Sequence, residues 1–127
     1  MLFQHIHHVA IIASDYSVSK YFYTEILQLP ILAETYRQER DSYKLDLQLG
    51  QNQIELFSFP QPPARLSSPE AAGLRHLAFE VVDIAVVIAH LEAHGVLCEP
   101  IRIDEFTQKR FTFFQDPDGL PLELYER

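Results

Sequence analysis

An internal repeat constrains what this chain can fold into more than any other feature of its sequence. His8–Ala10 reappears as His76–Ala78, and Glu55-Leu56 reappears as Glu123-Leu124, in both cases 68 residues later. The same shift relates three further pairs: Asp15 with Asp83, Tyr43 with Phe111, and Leu45 with Phe113. Because one constant offset links separate places along the chain, we expect a duplicated module.

Each copy carries the same succession of secondary-structure signals. A strand rich in β-branched and aromatic residues comes first, and a helix follows, beginning at Ser14 or Asp15 in the first copy and at Asp83 in the second. Apolar residues recur at helical spacing in both helices, and Gly95 favours a stop for the second. The expected stripe of the first helix is Val18, Phe22, Ile26 and Leu29. The expected strands are residues 6–13, 31–37, 43–49 and 53–58, then 75–82, 97–103, 109–115 and 120–125.

These signals predict an α+β fold of two tandem βαβββ modules that form a curled mixed sheet around a cleft. The modules are expected at about 4–59 and 73–127, joined by a linker at about 60–72 that holds four of the eight prolines. A chain of 127 residues has room for one ordinary domain, so we expect residues 1–127 to form a single domain.

Composition and charge exclude several classes of function. Eighteen acidic residues oppose ten basic ones, giving a net charge of -8, and the basic residues do not cluster, which disfavours nucleic-acid binding. No apolar run approaches the roughly 20 residues of a membrane helix, and the N-terminus lacks the pattern of a secretion signal. A single cysteine, Cys98, permits no internal disulfide. We therefore expect a cytoplasmic protein with a small-molecule partner and with no nucleic-acid or membrane partner.

Strand alternation predicts which polar side chains share a face of the sheet. The odd positions of residues 77–81 are apolar and are expected to face the second helix, which leaves His76 on the opposite face. The repeat places His8 on that face in the first copy. Glu55 and Glu123 each lie between two aliphatic residues, so their carboxylates are expected beside the histidines.

Two imidazoles and two carboxylates on one face predict a metal site. A carboxylate in a half-buried cleft loses hydration, which is unfavourable. The charge of one divalent cation balances the charges of two such carboxylates and compensates for this loss. A set of two nitrogens and two oxygens without thiolate suits Ni, Co, Fe, Mn or Zn, and an octahedral ion would keep two positions open for substrate oxygens. His7 is expected to point to the other face. Further residues expected near the cleft, as contacts for a substrate carboxylate or phosphate, are Lys44, Asp46, Arg110 and Thr112.

The segments that contain these residues also carry a family resemblance. They are the His8 strand ending at Asp15, the helix Phe22–Leu27, the Glu55 strand, the strand Gly73–Phe79 and the closing stretch Asp116–Leu124. Together they resemble the vicinal-oxygen-chelate superfamily, the group of glyoxalase I, bleomycin-resistance proteins and extradiol dioxygenases, over essentially the whole chain. The closing stretch is the most specific part. Thr107–Phe114 further resembles the YaeR-like subgroup of glyoxalase-like proteins.

This resemblance implies one divalent transition metal in a cleft built from paired modules, and a homodimer. The metal ligands that it implies are His8, Glu55, His76 and Glu123. The sequence departs from the family in two places. Gln28 stands where the family often has a glycine after the helix. Ile12 and Phe59 stand where the bacterial glutathione-dependent enzymes carry Arg and Asn, so the resemblance does not extend to glutathione contacts.

These features favour a metal-dependent lyase or isomerase that acts on a small α-oxygenated carbonyl compound such as a hemithioacetal. The metal would bind two neighbouring substrate oxygens and stabilise the enediolate formed when a base removes the proton between them. By resemblance to glyoxalase I, that base is Glu123 or Glu55, with Glu123 the first choice. One alternative is a non-catalytic protein that sequesters a small molecule such as an antibiotic. The other is an extradiol-type dioxygenase, against which Glu55 argues, because a fourth protein ligand takes a position that oxygen and substrate would share.

Overall fold

Strand pairing organises the chain into two four-stranded sheets in the computed structural model, which describes residues 1–127. The chain divides into two compact units, Met1–Ala64 and Arg65–Arg127, and each unit holds one sheet. The division falls inside the proline-rich segment 60–72, which contains no helix or strand.

Each unit follows the βαβββ order that the repeat predicts. The first contains β1 (His8–Ala13), α1 (Tyr16–Tyr21), a π-helical turn (Phe22–Ile26), β2 (Ile31–Arg37), a 3-10 turn (Gln38–Arg40), β3 (Ser42–Leu49) and β4 (Asn52–Ser58). The second contains β5 (Leu77–Val81), α2 (Ile84–Ala93), β6 (Arg102–Ile103), β7 (Arg110–Gln115) and β8 (Pro121–Glu126). The strand orders are β1-β4-β3-β2 and β5-β8-β7-β6, with the first pair of each sheet parallel and the others antiparallel. The predicted α+β fold with mixed sheets is therefore confirmed.

Both helices begin where an aspartate follows the first strand. Asp15 accepts a hydrogen bond from the backbone N–H of Val18, and Asp83 accepts from Ala85 and Val86, which satisfies donors that the first helical turn leaves free. Helix α2 ends before Gly95, as expected. This longest helix has ten residues, and no helix of the chain combines the length and hydropathy needed to cross a bilayer.

The buried stripe of the first helix begins at Ser19, not at Val18, and continues into a π-helical turn. The N–H of Leu27 donates to the carbonyl of Phe22, five residues back, so the side chains that follow are rotated relative to a regular helix. Phe22, Tyr23 and Ile26 are buried, whereas Val18 is 51% exposed, and its predicted place in the stripe is wrong. After this turn Gln28 takes a left-handed conformation with φ of 60°, at the position where the family often has glycine.

The core of each unit lies on the face of its sheet that the helix covers. The residues of this face alternate along each strand with residues of the opposite face, and burying each large aliphatic side chain stabilises the fold by about 1.5–3 kcal/mol. In the first sheet they are Leu45, Leu47, Ile54 and Leu56, and in the second unit they include Ile84, Leu91, Leu122 and Leu124.

Strand β6 is shorter than predicted. It covers only Arg102–Ile103, although residues 97–103 have strand composition. Pro100 has no N–H to donate, and upstream of it the chain is tied to β7 through Glu99, whose N–H donates to the carbonyl of Phe113. The buried hydroxyl of Thr112 donates to the carbonyl of Glu99 at 2.6 Å, so a side chain replaces part of the expected ladder.

The two copies differ by one residue in their third strand. In the first sheet Gln48 is paired with Gln53, whereas in the second Gln115 is paired with Pro121, so the connection between these partners is one residue longer in the second unit. The offset between the copies is therefore 67 in this strand, not 68. The predicted equivalences of Tyr43 with Phe111 and of Leu45 with Phe113 are wrong by one position.

This slip reverses the predicted face of two residues, because side chains alternate along a strand. Thr112 is paired with Leu124, a core residue, and is completely buried. Arg110 donates two hydrogen bonds to Glu126, whose carboxylate also accepts from the first N–H of α2. Thr112 and Arg110 therefore lie on the helix side of the sheet, opposite Glu123, and the prediction that they lie on the glutamate face is wrong.

Replacing Thr112 with valine tests this placement. The change keeps the side-chain volume but removes the hydroxyl that donates to the carbonyl of Glu99, so we expect a loss of about 0.5–1.5 kcal/mol in the free energy of unfolding. Urea denaturation measures this loss, and the exposed Thr35→Val serves as the matched control. If Thr112→Val kept full stability but lost small-molecule binding, Thr112 would belong to a binding face instead.

Candidate functional site

In the first unit, the parallel pairing of β1 with β4 brings His8 and Glu55 together. Glu55 is paired directly with Ala10, and His8 lies two residues before Ala10 on the same face. Glu55 Oε2 lies 3.5 Å from His8 Nδ1, and the Glu55 side chain is largely buried while that of His8 is 42% exposed.

The second unit repeats this arrangement with the same register. Glu123 is paired directly with Ala78 of β5, and His76 lies two residues before Ala78. His76 Nε2 lies 3.0 Å from Glu123 Oε2, and the side chain of Glu123 is 12% exposed. Each unit therefore contains one imidazole in contact with one largely buried carboxylate, at the positions that the repeat predicts.

The surroundings of Glu55 are charged. Asp46 is paired directly with Glu55, and Lys44 lies two residues before Asp46 on the same face. Lys44 Nζ donates to Asp46 Oδ1 at 2.6 Å and lies 3.7 Å from Glu55 Oε1. The hydrogen bond to Asp46, together with the charges of Asp46 and Glu55, raises the pKa of Lys44. Lys44 and Asp46 lie on the glutamate face, as predicted.

The surroundings of Glu123 are aromatic. Phe113 is paired directly with Glu123, and its ring stands edge-on to the His76 ring with centroids 5.1 Å apart. Arg102 is paired with Phe111, and its guanidinium lies over the rings of Phe111 and Phe113, at 5.0 and 5.6 Å from their centroids. Because of the one-residue slip, these two rings take the places that Lys44 and Asp46 have in the first sheet.

Arg102, Phe111 and Phe113 also lie on this face, although the sequence pattern did not predict them there. The signal that could have revealed them is the length of the turn before β8. Asp116–Leu120 separates the paired residues Gln115 and Pro121, and it is one residue longer than the corresponding connection in the first unit. Comparing the two connections would have shifted the alignment of the third strands.

The closing stretch contains a hydrogen-bonded turn before β8. The buried carboxylate of Asp116 accepts hydrogen bonds from the N–H groups of Asp118 and Leu120, at 2.8 and 3.0 Å. Gly119 has a φ of 81°, a left-handed conformation that favours glycine. These contacts fix the start of β8 and therefore the position of Glu123.

His7 does not follow the strand alternation on which its prediction rested. Strand β1 begins at His8, so His7 precedes the regular part of the strand. Its carbonyl accepts from the N–H of Gln53, and its Nδ1 lies 3.0 Å from Nδ1 of His8. The prediction that His7 points to the other face is therefore wrong, and His7 contacts the imidazole of the first pair.

The apolar residues beside the first pair lie where glutathione-dependent enzymes carry polar ones. Ile12 is paired with Phe57 on the Glu55 face, and Phe59 stacks on Phe57. The guanidinium of Arg37 lies 4.8 Å from the centroid of Phe57. The guanidinium of Arg40 lies 5.5 Å from the centroid of Phe59, so this end of the first sheet offers an apolar and aromatic surface with two guanidinium groups over it.

The donor atoms of the two pairs suit a borderline divalent metal. Each pair provides one imidazole nitrogen and one carboxylate oxygen, the ligand types that such ions accept. No group of three or more His, Cys, Asp or Glu side chains in the chain is arranged to hold a metal ion. Since protein sites for these ions use three or four ligands, neither pair by itself provides a full ligand set.

Comparison with known proteins gives a consistent family. The model of the Glyoxalase/Bleomycin resistance protein/Dioxygenase superfamily matches residues 5–124. The protein YaeR of Escherichia coli (strain K12) is 66% identical over 123 residues, which cover 96% of this chain and 95% of YaeR. The protein YwkD of Bacillus subtilis (strain 168) is 59% identical over 128 residues, covering 100% of both chains.

A solved structure agrees with this result. The crystal structure of a glyoxalase family protein from Enterococcus faecalis superposes with a TM-score of 0.92 at 56% sequence identity, covering 99% of this chain and 100% of that one. The similarity to YaeR is the one that the residues Thr107–Phe114 predicted. The chain belongs to the glyoxalase/bleomycin resistance protein/dioxygenase superfamily, with a glyoxalase-like fold.

Proposed function

We propose that this chain is a metal-dependent lyase or isomerase that acts on a small α-oxygenated carbonyl compound. Its ligands for one divalent transition metal ion, which is Ni, Co, Zn, Mn or Fe, are His8, Glu55, His76 and Glu123. The observation that carries the proposal is that one strand register builds the same His–Glu contact in both units. Both copies keep the pair although the residues beside it differ, with Asp46 paired to Glu55 and Phe113 paired to Glu123.

The burial of the two glutamates supports this assignment. Their side chains are only 13% and 12% exposed, so both carboxylates have lost much of their hydration. Withdrawing an anion from water is unfavourable unless a cation or several donors compensate. The bound ion would supply this charge and would polarise the carbonyl of the substrate as a Lewis acid.

Glu123 is proposed as the base that removes the proton next to the carbonyl. Its carboxylate contacts His76, and its direct cross-strand partner is the apolar Phe113. Glu55, by contrast, has Lys44 Nζ at 3.7 Å from its Oε1, so one of its carboxylate oxygens already interacts with a cation. Lys44 and Asp46 lie on the same face as Glu55 and are proposed to contact the polar groups of the substrate.

Metal content tests the ligand assignment. Purified protein should contain about one divalent transition metal per chain by elemental analysis, and the double variant Glu55→Gln, Glu123→Gln should contain almost none, because both ligand charges are removed at constant size. The matched control is Glu39→Gln, Glu92→Gln, which changes one exposed glutamate in each unit. Full metal retention in the first variant would refute the ligand set.

We further propose that the protein acts as a homodimer in the cytoplasm. Mixing two variants decides whether each metal site uses one chain or two. One variant carries Glu55→Gln and the other carries Glu123→Gln, so neither chain alone holds a complete set. If the sites are shared, mixed dimers regain one complete site and bind metal; if each site lies within one chain, mixing restores nothing.

An activity panel tests the reaction. Metal-loaded protein should consume the hemithioacetal of methylglyoxal in a thiol-dependent way, and Glu123→Gln should lower the rate by about 10²–10⁴-fold, the usual contribution of a general base. The variant's metal content is checked in parallel, with Glu92→Gln as the control. A loss below about tenfold, with metal retained, would move the base to Glu55.

The same panel includes catechols, and fosfomycin with thiols, to separate the alternatives. Oxygen uptake with a catechol would indicate a dioxygenase instead. A binding protein without catalysis is the second candidate, because Ile12, Phe57 and Phe59 form an apolar surface beside the first pair. Tight binding of a panel compound without any product would favour that function.

A further inference from the structure

Arg102 lies on the same face of the second sheet as the His76–Glu123 pair. Arg102 is paired with Phe111, and Phe113 is paired with Glu123. Since residues two apart on β7 share a face, this register places the guanidinium and both rings on the glutamate side. Nothing in the proposed metal site or in the proton transfer uses Arg102.

The guanidinium of Arg102 is held in place without being neutralised. It lies over two aromatic rings, at 5.0 and 5.6 Å from their centroids, and such contacts restrain a guanidinium while leaving its N–H groups free to donate. Its acidic neighbour is Glu99 at 3.8 Å, and both side chains are more than half exposed, so this ion pair is weak. Arg110, on the opposite face, instead makes two short hydrogen bonds to Glu126.

The ring of Phe113 connects this guanidinium to the His–Glu pair. It stands edge-on to His76 on one side and lies under Arg102 on the other. A small ligand whose reacting end lies at His76 and Glu123 can therefore extend along Phe113 and reach Arg102 with a terminal group. The rings of Phe113 and Phe111 provide an apolar surface for the part in between.

We propose that Arg102 binds an anionic oxygen group, a carboxylate or a phosphate, at the end of the substrate remote from the reacting carbonyl. The substrate of the proposed reaction is then an anion, and this inference rests on the proposed function for the identity of the reacting end. A guanidinium presents a planar fork of N–H donors that matches both groups bidentately.

Charge distribution explains why this position selects an anion. The chain as a whole carries a net charge of -8, so an anionic ligand is repelled except where local positive charge outweighs that field. In the first unit, Lys44 already donates to Asp46 at 2.6 Å. Arg102 has no such short contact and keeps its donors available for a ligand.

Binding of three small probes to the metal-free protein tests the proposal. The probes are benzoate, phenyl phosphate and the neutral benzamide, which share a phenyl ring that can lie along Phe111 and Phe113. Binding is followed at low ionic strength by the backbone amide NMR signals of β6 and β7, which can be read in the unchanged protein and in every variant. We expect a saturable shift with at least one anion, and binding at least about tenfold weaker for benzamide.

Variants separate the role of Arg102 from a general effect of charge. Arg102→Gln should weaken anion binding about tenfold or more, and Arg102→Lys should weaken it less, because charge is kept while the planar fork is lost. Arg127→Gln removes the same charge from an exposed arginine that pairs with Glu80, and should change binding less than about twofold. The tighter of the two anions identifies the group as carboxylate or phosphate.

Three results would overturn the proposal: no saturable shift with either anion, equal binding of benzamide, or unchanged anion binding in Arg102→Gln. Because the titration uses metal-free protein, it is independent of the proposed reaction. Anion binding at Arg102 without any turnover in the activity panel would reject the proposed function and keep the anion site. Turnover in the activity panel without anion binding at Arg102 would reject the anion site and keep the proposed function.

Discussion

The pairing of each functional glutamate with an alanine across parallel strands is the constraint on which the proposed site depends. Ala10 faces Glu55 and Ala78 faces Glu123, and in each case the histidine lies two residues earlier on the same face. The helix-covered faces hold this register in place, because a shift by one residue would turn the buried leucines toward solvent.

A difference of one residue in a turn gives the two copies different chemistry around the same pair. Because the connection before β8 is one residue longer, the residues of β7 are shifted by one position relative to those of β3. Glu55 consequently has a Lys–Asp ion pair beside it, and Glu123 has two phenyl rings with a guanidinium above them. The two copies therefore keep the same His–Glu pair while the residues around it differ.

Most of the fold could be predicted from the sequence because its signals are local. The aspartate caps, the spacing of apolar residues in α2 and the alternation in the strands all act within a few residues of each other. Predictions failed near the starts of elements. The buried stripe of the first helix begins at Ser19, which leaves Val18 exposed, and β1 begins at His8, so His7 lies outside the strand alternation. Strand β6 shortened because Pro100 and the Thr112 hydroxyl interrupt the ladder.

The sequence by itself determined the repeat, the βαβββ order, the family and the two His–Glu pairs, since all of these follow from residue identity and spacing. Only the tertiary structure decided which residues accompany those pairs. Arg110 and Thr112 turned out to face the helix, and Arg102 with its two rings took the place beside Glu123. The physical reason is that the face of a strand residue depends on the register with its neighbour, and the register depends on the conformation of the turn between them.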